Sequence, residues 1–299
     1  MVGTDDADTE RDDAGRDDAG RDDAERDDAG RDDAERDDAG RNYTDTELMI
    51  ARAAAELRDD DTVLVGVGVP NLACNLAKRT HAPNLRLVYE SGTVDSDPSK
   101  LPLSIGDPVL AAGARSIVPM AEGFGRYLQA GRVDVGFLGG AQIDRRGNVN
   151  STVIGDYDDP DVRLPGSGGA CEIASNTHRT VVVTPHSRRR FPEEVDFVTS
   201  PGYVGGREGR ADLGLRGGPE AVITDKAVMR FDESGEMYVE TVHPRSSREA
   251  VQAATGWDIQ FADGVEAGRE VGETPPPTDE ELRLVRDELD PDGVYTGGE

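Results

Sequence analysis

The sequence predicts an α/β fold: a largely parallel sheet flanked by helices, followed by an antiparallel hairpin and further helices. Three observations carry this reading. Helical and strand patterns alternate through the early part of the chain, the strands are short continuous apolar runs, and glycine-rich turns separate several of them.

Taken in order, Thr44-Asp45-Thr46-Glu47 is a capping box ahead of Leu48, Ile50, Ala51, Ala54 and Leu57, so a helix opens the folded part. Residues 62–67 read as the first buried strand and 71–79 as the helix beyond its glycine turn. The run Leu85-Arg86-Leu87-Val88-Tyr89 is strand-like and Ser91-Gly92 ends it, which leaves Glu90 projecting from a carboxyl end. Further strands are expected at 133–138, 180–184, 195–199 and 221–224. Residues 227–231 and 237–242 flank Asp232-Glu233-Ser234-Gly235 as an antiparallel hairpin. Ser246-Ser247-Arg248-Glu249 caps a helix that stops before Gly256. Pro275-Pro276-Pro277 is a stiff linker, and Thr278-Asp279-Glu280-Glu281 starts a last helix burying Leu282, Val285 and Leu289.

Residues 1–41 stand apart. They repeat Asp-Asp-Ala-Gly-Arg and Asp-Asp-Ala-Glu-Arg, with eighteen acidic side chains against seven arginines and little apolar besides alanine. Such a segment cannot bury enough surface to offset its ordering entropy, so a disordered, solvating tail is expected before one folded domain, 42–299. The whole chain of 299 residues carries a net charge of −28 and only three lysines, Lys78, Lys100 and Lys226. That acidity disfavours nucleic acid and anionic membrane surfaces as partners. It also suits a protein working in concentrated salt, where screening removes self-repulsion, and points to a halophilic source. Cys74 and Cys171 are far apart, with no disulfide framework or zinc spacing, and the four histidines are scattered, so no metal site is expected. With no run of about twenty apolar residues and no apolar signal region, a cytoplasmic location is expected.

Glu90 is the candidate reactive group, because ligands of open α/β sheets collect outside the carboxyl ends of the strands. Around it lie Gly66-Val67-Gly68-Val69-Pro70, Gly139-Gly140-Ala141-Gln142-Ile143-Asp144, Gly147-Asn148-Val149-Asn150-Ser151-Thr152, Ile154-Gly155-Asp156-Tyr157 and Gly166-Ser167-Gly168-Gly169-Ala170. Gly139-Gly140-Ala141 follows a strand and would line the same crevice. The 166–170 segment is either a sharp ligand-free loop or a source of backbone N–H donors. Gly66-Val67-Gly68 lacks the third glycine of a dinucleotide loop, since position 71 is Asn, and reads as a tight strand-to-helix turn. Arg188-Arg189-Arg190 could meet phosphates, but pairing with Glu193 and Glu194 is the expectation.

In this order, and with Arg189-Arg190-Phe191, Val198-Thr199-Ser200-Pro201-Gly202 and Val222-Ile223-Thr224-Asp225-Lys226, the chain resembles the beta subunit of family I CoA-transferases, in particular of the glutaconate type, from about Asn42 nearly to its end. The resemblance implies a Rossmann-like sheet of the CoA-transferase and ribose-5-phosphate isomerase kind. It implies that Glu90, in its Glu-Ser-Gly turn, is the nucleophile of a ping-pong exchange of CoA between carboxylic acids, glutaconate-type or other short dicarboxylic or 3-oxo acids. It further implies an active-site role for Gly139, Gly140, Ala141, Gly166, Gly168, Gly169 and Ala170, coenzyme A as cosubstrate with no permanently bound cofactor, and an alpha subunit as partner. The alternatives are a CoA-ester, ring-opening hydrolase subunit on the same scaffold, whose members lack this glutamate, and a subunit that has lost turnover.

Overall fold

The computed structural model describes residues 42–96, 98, 100–265 and 270–297. The expected acidic tail, residues 1–41, lies outside them. An eleven-stranded sheet organises the described chain. Its strands are β1 (Thr62–Val65), β2 (Arg86–Tyr89), β3 (Thr93–Val94), β4 (Ser116–Ile117), β5 (Val135–Leu138), β6 (Arg179–Val183), β7 (Pro219–Ile223), β8 (Ala227–Phe231), β9 (Met237–Val242), β10 (Gln260–Phe261) and β11 (Gly272–Glu273). They lie in the order β10-β9-β8-β7-β6-β5-β1-β2-β3-β4, with β11 also on β9. The central five, β7, β6, β5, β1 and β2, are parallel. The chain first builds outward from β1 to β2 and then crosses to β5 on the other side, so the carboxyl ends of these strands flank a reversal of strand order, where α/β sheets collect ligands.

Alternation along the strands sorts the core into two layers. Val63, Val65, Leu87, Tyr89, Val135, Phe137, Val181, Ala221 and Ile223 join a cluster with helices α1 (Asp45–Ala55) and α2 (Val69–Arg79) and with Leu284, Val285 and Leu289 near the C-terminus. Their strand neighbours Leu64, Leu138, Val182 and Val222 face the opposite way, onto Leu128 and Ile173. Those two come from α3, which is α-helical over Met120–Glu122 and π-helical over Gly123–Gln129, and from α4 (Ala170–Asn176). Close approach of α4 depends on Gly136, where any Cβ would run into Ile173 and Thr177. A fully buried guanidinium fixes the same helix: Arg210 donates to the carbonyls of Ala174, Pro201, Gly202, Arg216 and Gly217.

The capping boxes at Thr44 and Thr278 form with both halves present, and the 227–242 hairpin pairs as expected. One expected strand does not form. Residues 195–199 make a strap instead, because their polar groups serve the neighbouring loop: Asp196 accepts from Gln142 and from the Gly155 N–H, Thr199 Oγ1 accepts from the Ser151 N–H, and Phe197 stacks on Tyr157. Only Ser200, just beyond, bridges to Val149.

Past β6 and β7 a buried polar pin joins the strand ends to the C-terminal segment. The His186 ring reaches Thr255 and Thr224, and the His243 ring reaches Thr274 and the Thr224 carbonyl. Burial lowers both imidazoles to about 4, below the ordinary 6.5. The folded chain therefore keeps them neutral where the unfolded chain binds protons, so the stability they confer is whole above pH 6.5 and is lost as pH falls toward 4. Urea denaturation at constant high salt should give midpoints that decline from about pH 6.5 to about pH 5, and His243→Gln should flatten that decline. A wild-type midpoint that is level across this window would remove the pin from the account.

Candidate functional site

Glu90 occupies the second position of a tight turn between β2 and β3. The Gly92 N–H closes it on the Tyr89 carbonyl at 2.8 Å, and Asp95 N–H returns to the Leu87 carbonyl at 2.7 Å. Gly92 is needed twice. Its φ of +96° suits glycine, and the Val118 carbonyl lies where a Cβ would stand. The turn is braced from outside as well: Val118 N–H donates to the Gly92 carbonyl at 2.9 Å, and Asp95, itself at φ +51°, pairs with Lys78 of α2 and with Arg115. From inside, the Tyr89 hydroxyl donates to Asn71 Oδ1 in the first turn of α2 at 2.9 Å, which ties the Gly66–Pro70 turn to the end of β2.

The Glu90 side chain is half-buried, and its carboxylate has neither a hydrogen-bond nor an ion-pair partner among the described residues. Burial raises its pKa above the ordinary carboxylate value. An unpartnered anion partly withdrawn from water is more basic than one in solution, a property useful in a nucleophile and a liability elsewhere.

The structure brings one of the glycine segments directly onto this carboxylate. A methyl added at Gly169 would lie 2.7 Å from Glu90 Oε1 and 2.8 Å from Phe124 Cζ. The loop is held open by its neighbours: Gly166 exchanges hydrogen bonds with Ser151, N–H to carbonyl at 2.8 Å and hydroxyl to carbonyl at 3.0 Å, while Ser167 receives the Ala170 and Cys171 N–H groups. Gly166 and Gly168 take positive φ, 99° and 49°, and face open space. The N–H groups of Gly168 and Gly169 have no protein acceptor among the described residues. Two free donors thus belong to the segment that meets the free carboxylate.

Gly139-Gly140-Ala141 follows β5 on the same edge of the sheet, two strands from β2 and so about 10 Å across. Two of its backbone groups are engaged: Ala141 N–H donates to the Asn150 carbonyl at 2.8 Å, and the Gly140 carbonyl accepts from Arg190 at 3.2 Å. For Arg188 and Arg190 this corrects the expected pairing with Glu193 and Glu194. Arg190 holds Gly140 and Arg188 holds the Thr255 carbonyl, while Glu193 meets Arg145 at 3.5 Å. The Gly147–Thr152 and Val198–Gly202 segments likewise serve as scaffold, with Asn148 accepting from the Gly202 N–H at 2.8 Å. Phe124 does not stand out in the sequence. A lone aromatic between Gly123 and Gly125 gives no periodic signal, and its contact with Gly169 spans elements far apart in the chain.

Residues 46–254 match the profile of the family described as Coenzyme A transferase. The chain is 46% identical over 246 residues to the beta subunit of the 3-oxoadipate CoA-transferase of Pseudomonas knackmussii, covering 82% of this chain and 92% of that protein. It is 40% identical over 261 residues to the corresponding subunit of the glutaconate CoA-transferase of Acidaminococcus fermentans, covering 85% and 95%. The crystal structure of the glutaconate enzyme from that organism superposes with a TM-score of 0.78 at 38% sequence identity, over 85% of this chain and 97% of the matched chain.

Glycine has different work at the two contact positions around Glu90. Gly92→Ala meets both a positive φ and a backbone carbonyl and should destabilise the fold by more than about 1 kcal/mol. Gly169 has φ −82°, and an added methyl there meets only side-chain ends, so Gly169→Ala should cost much less stability. Denaturation midpoints of the two variants decide this; equal losses would contradict the bracing of the Glu90 turn.

Proposed function

The chain belongs to the coenzyme A transferase family, and on that premise we propose that it works as the beta subunit of a heteromeric CoA-transferase in which Glu90 carries CoA between two carboxylic acids. The observation that carries this reading is the free, half-buried Glu90 carboxylate packed against Gly169 beside two unused backbone donors.

The chemistry follows from the groups present. A Glu90 carboxylate oxygen attacks the thioester carbonyl of an acyl-CoA, the C–S bond breaks, and a mixed anhydride and CoA thiolate result. The thiolate then attacks the Glu90 carbonyl, releasing the first carboxylate and leaving a glutamyl-CoA thioester. An incoming carboxylate reverses both steps. Each attack makes a tetrahedral centre with a negative oxygen, and we assign the unused Gly168 and Gly169 N–H groups as its donors. Carboxylates are weak nucleophiles, so positioning and contacts to remote parts of CoA must supply most of the rate. Gly139, Gly140 and Ala141 fit this scheme as a wall of the crevice, with Gly166 and Ala170 setting the shape of the donor loop.

The relatives named for 3-oxoadipate and glutaconate support short dicarboxylic acids as the substrate class, and the fact that each is one named subunit of its enzyme supports an alpha subunit as partner. Nothing in the site favours the hydrolase alternative. The acidic composition supports a salt-adapted source, and no helix among the described residues is long and apolar enough to cross a membrane.

The assembled enzyme, incubated in high salt with an acyl-CoA and then borohydride, should be reduced at Glu90, as read by peptide mass, and inactivated. Glu90→Ala should escape modification and lose at least about 1,000-fold in transfer rate. Full transfer activity in Glu90→Ala would end the proposal.

A further inference from the structure

The glutamyl thioester proposed above meets a competitor in water, which is present at far higher concentration than any acceptor acid. If water adds to the Glu90 carbonyl, the C–S bond breaks, CoA leaves as the thiol with one proton of the water, and the Glu90 carboxylate is restored with release of the other. The thioester is then wasted. Something must shield that carbon on the side away from the acyl substrate, and a hydrophobic wall is the means the chemistry allows.

Three features set Phe124 beside Glu90. Its ring edge and Glu90 Oε1 converge on Gly169, where a methyl would lie 2.7 Å from Oε1, 2.8 Å from Phe124 Cζ and 3.1 Å from Phe124 Cε1. Its helix is widened over Gly123–Gln129, the segment that carries Phe124, with Ala130 N–H reaching the Gly125 carbonyl five residues back. Widened turns of this kind occur preferentially at functional sites. Finally, Gly123 comes against the Glu90 turn itself: a Cβ there would lie 3.9 Å from the Gly92 Cα. The helix thus touches the turn that presents the nucleophile through Gly123 and the donor loop through Phe124. Phe124 also packs, with Tyr127 and Ala170, onto the second core layer, so the ring is backed by the interior.

We propose that Phe124 is a positioning residue that screens the Glu90 carbonyl from water and so directs the glutamyl thioester to a carboxylate acceptor. The role rests on the thioester reading of Glu90, and it makes a demand that simple packing would not. Loss of the ring must change the partition of the intermediate, beyond any change in the amount of active enzyme.

The test uses the complete alpha–beta enzyme with an acyl-CoA and a saturating acceptor acid. Free CoA and newly formed acyl-CoA are measured in the same reaction for wild type, Phe124→Leu and Phe124→Ala. The expected result is a ratio of hydrolysis to transfer that rises in the order Phe, Leu, Ala, by about tenfold for alanine. Leucine retains most of the packing volume, so its ratio decides the matter should the alanine variant fail to assemble. A ratio unchanged from wild type, with both rates falling together or both preserved, would overturn the proposal. Borohydride trapping of the wild type separates the two claims: absence of the Glu90 adduct defeats the thioester reading itself, whereas trapping with a flat ratio defeats only the role of Phe124.

Discussion

A carboxylate held partly out of water with no partner is unfavourable, and the surroundings of Glu90 offset that cost. The side chain leaves a tight turn at the end of a buried parallel strand, whose backbone the Tyr89–Gly92 and Leu87–Asp95 bonds fix in place. Asp95 holds an unfavourable positive φ in this turn, and its two cationic partners, Lys78 and Arg115, sit on separate parts of the chain. The next acidic residue along the chain is thus paired while Glu90, five residues earlier, is left free. That contrast, one acid paired and one without a partner, is what makes Glu90 the candidate reactive group.

The rest of the architecture keeps the glycine loop at Glu90. Such loops move unless their backbone is held, and here side chains from elsewhere in the chain do the holding. Ser151 fastens Gly166, Thr199 fastens Ser151, and Arg210 gathers five carbonyls beneath α4, the helix that the loop feeds. Arg210 has desolvation as the main influence on its pKa, which is lowered, and it accepts that penalty because each N–H finds a carbonyl. On the far side, Gly136 lets α4 come down onto β5. The proposed site thus rests on residues far from Glu90 in the chain.

Legibility in the sequence follows the range of the interactions. Runs such as Leu85–Tyr89 and Ala227–Phe231, rich in apolar and β-branched side chains and bounded by turn residues, state their own conformation, and the capping boxes at Thr44 and Thr278 state where helices begin. Glu90 is legible because its turn is local. The strap at 195–199 reads as a strand because Val195, Phe197, Val198 and Thr199 carry strand-like chemistry, whereas its hydrogen bonds go to Gln142, Ser151 and Gly155, more than forty residues away. The glycines at 123 and 125 hide the helix around Phe124, since isolated glycine weakens any helical pattern and π turns shift its period. Likewise the convergence of Gly169, Phe124 and Glu90 is a property of the folded sheet alone. The motif carried by the loop suggests a ligand site, but its meeting with that carboxylate cannot be read from spacing.

Isotope tracing offers the most direct test of Glu90 as the carrier of CoA. The assembled enzyme would be supplied with an acyl-CoA and an acceptor acid labelled with heavy oxygen in its carboxylate, and the peptide containing Glu90 weighed after turnover. Collapse of the second anhydride must leave one acceptor oxygen on Glu90, so labelled Glu90 is the predicted result. A peptide of unchanged mass, formed while labelled acyl-CoA accumulates, would mean that CoA reaches the acceptor without passing through this residue.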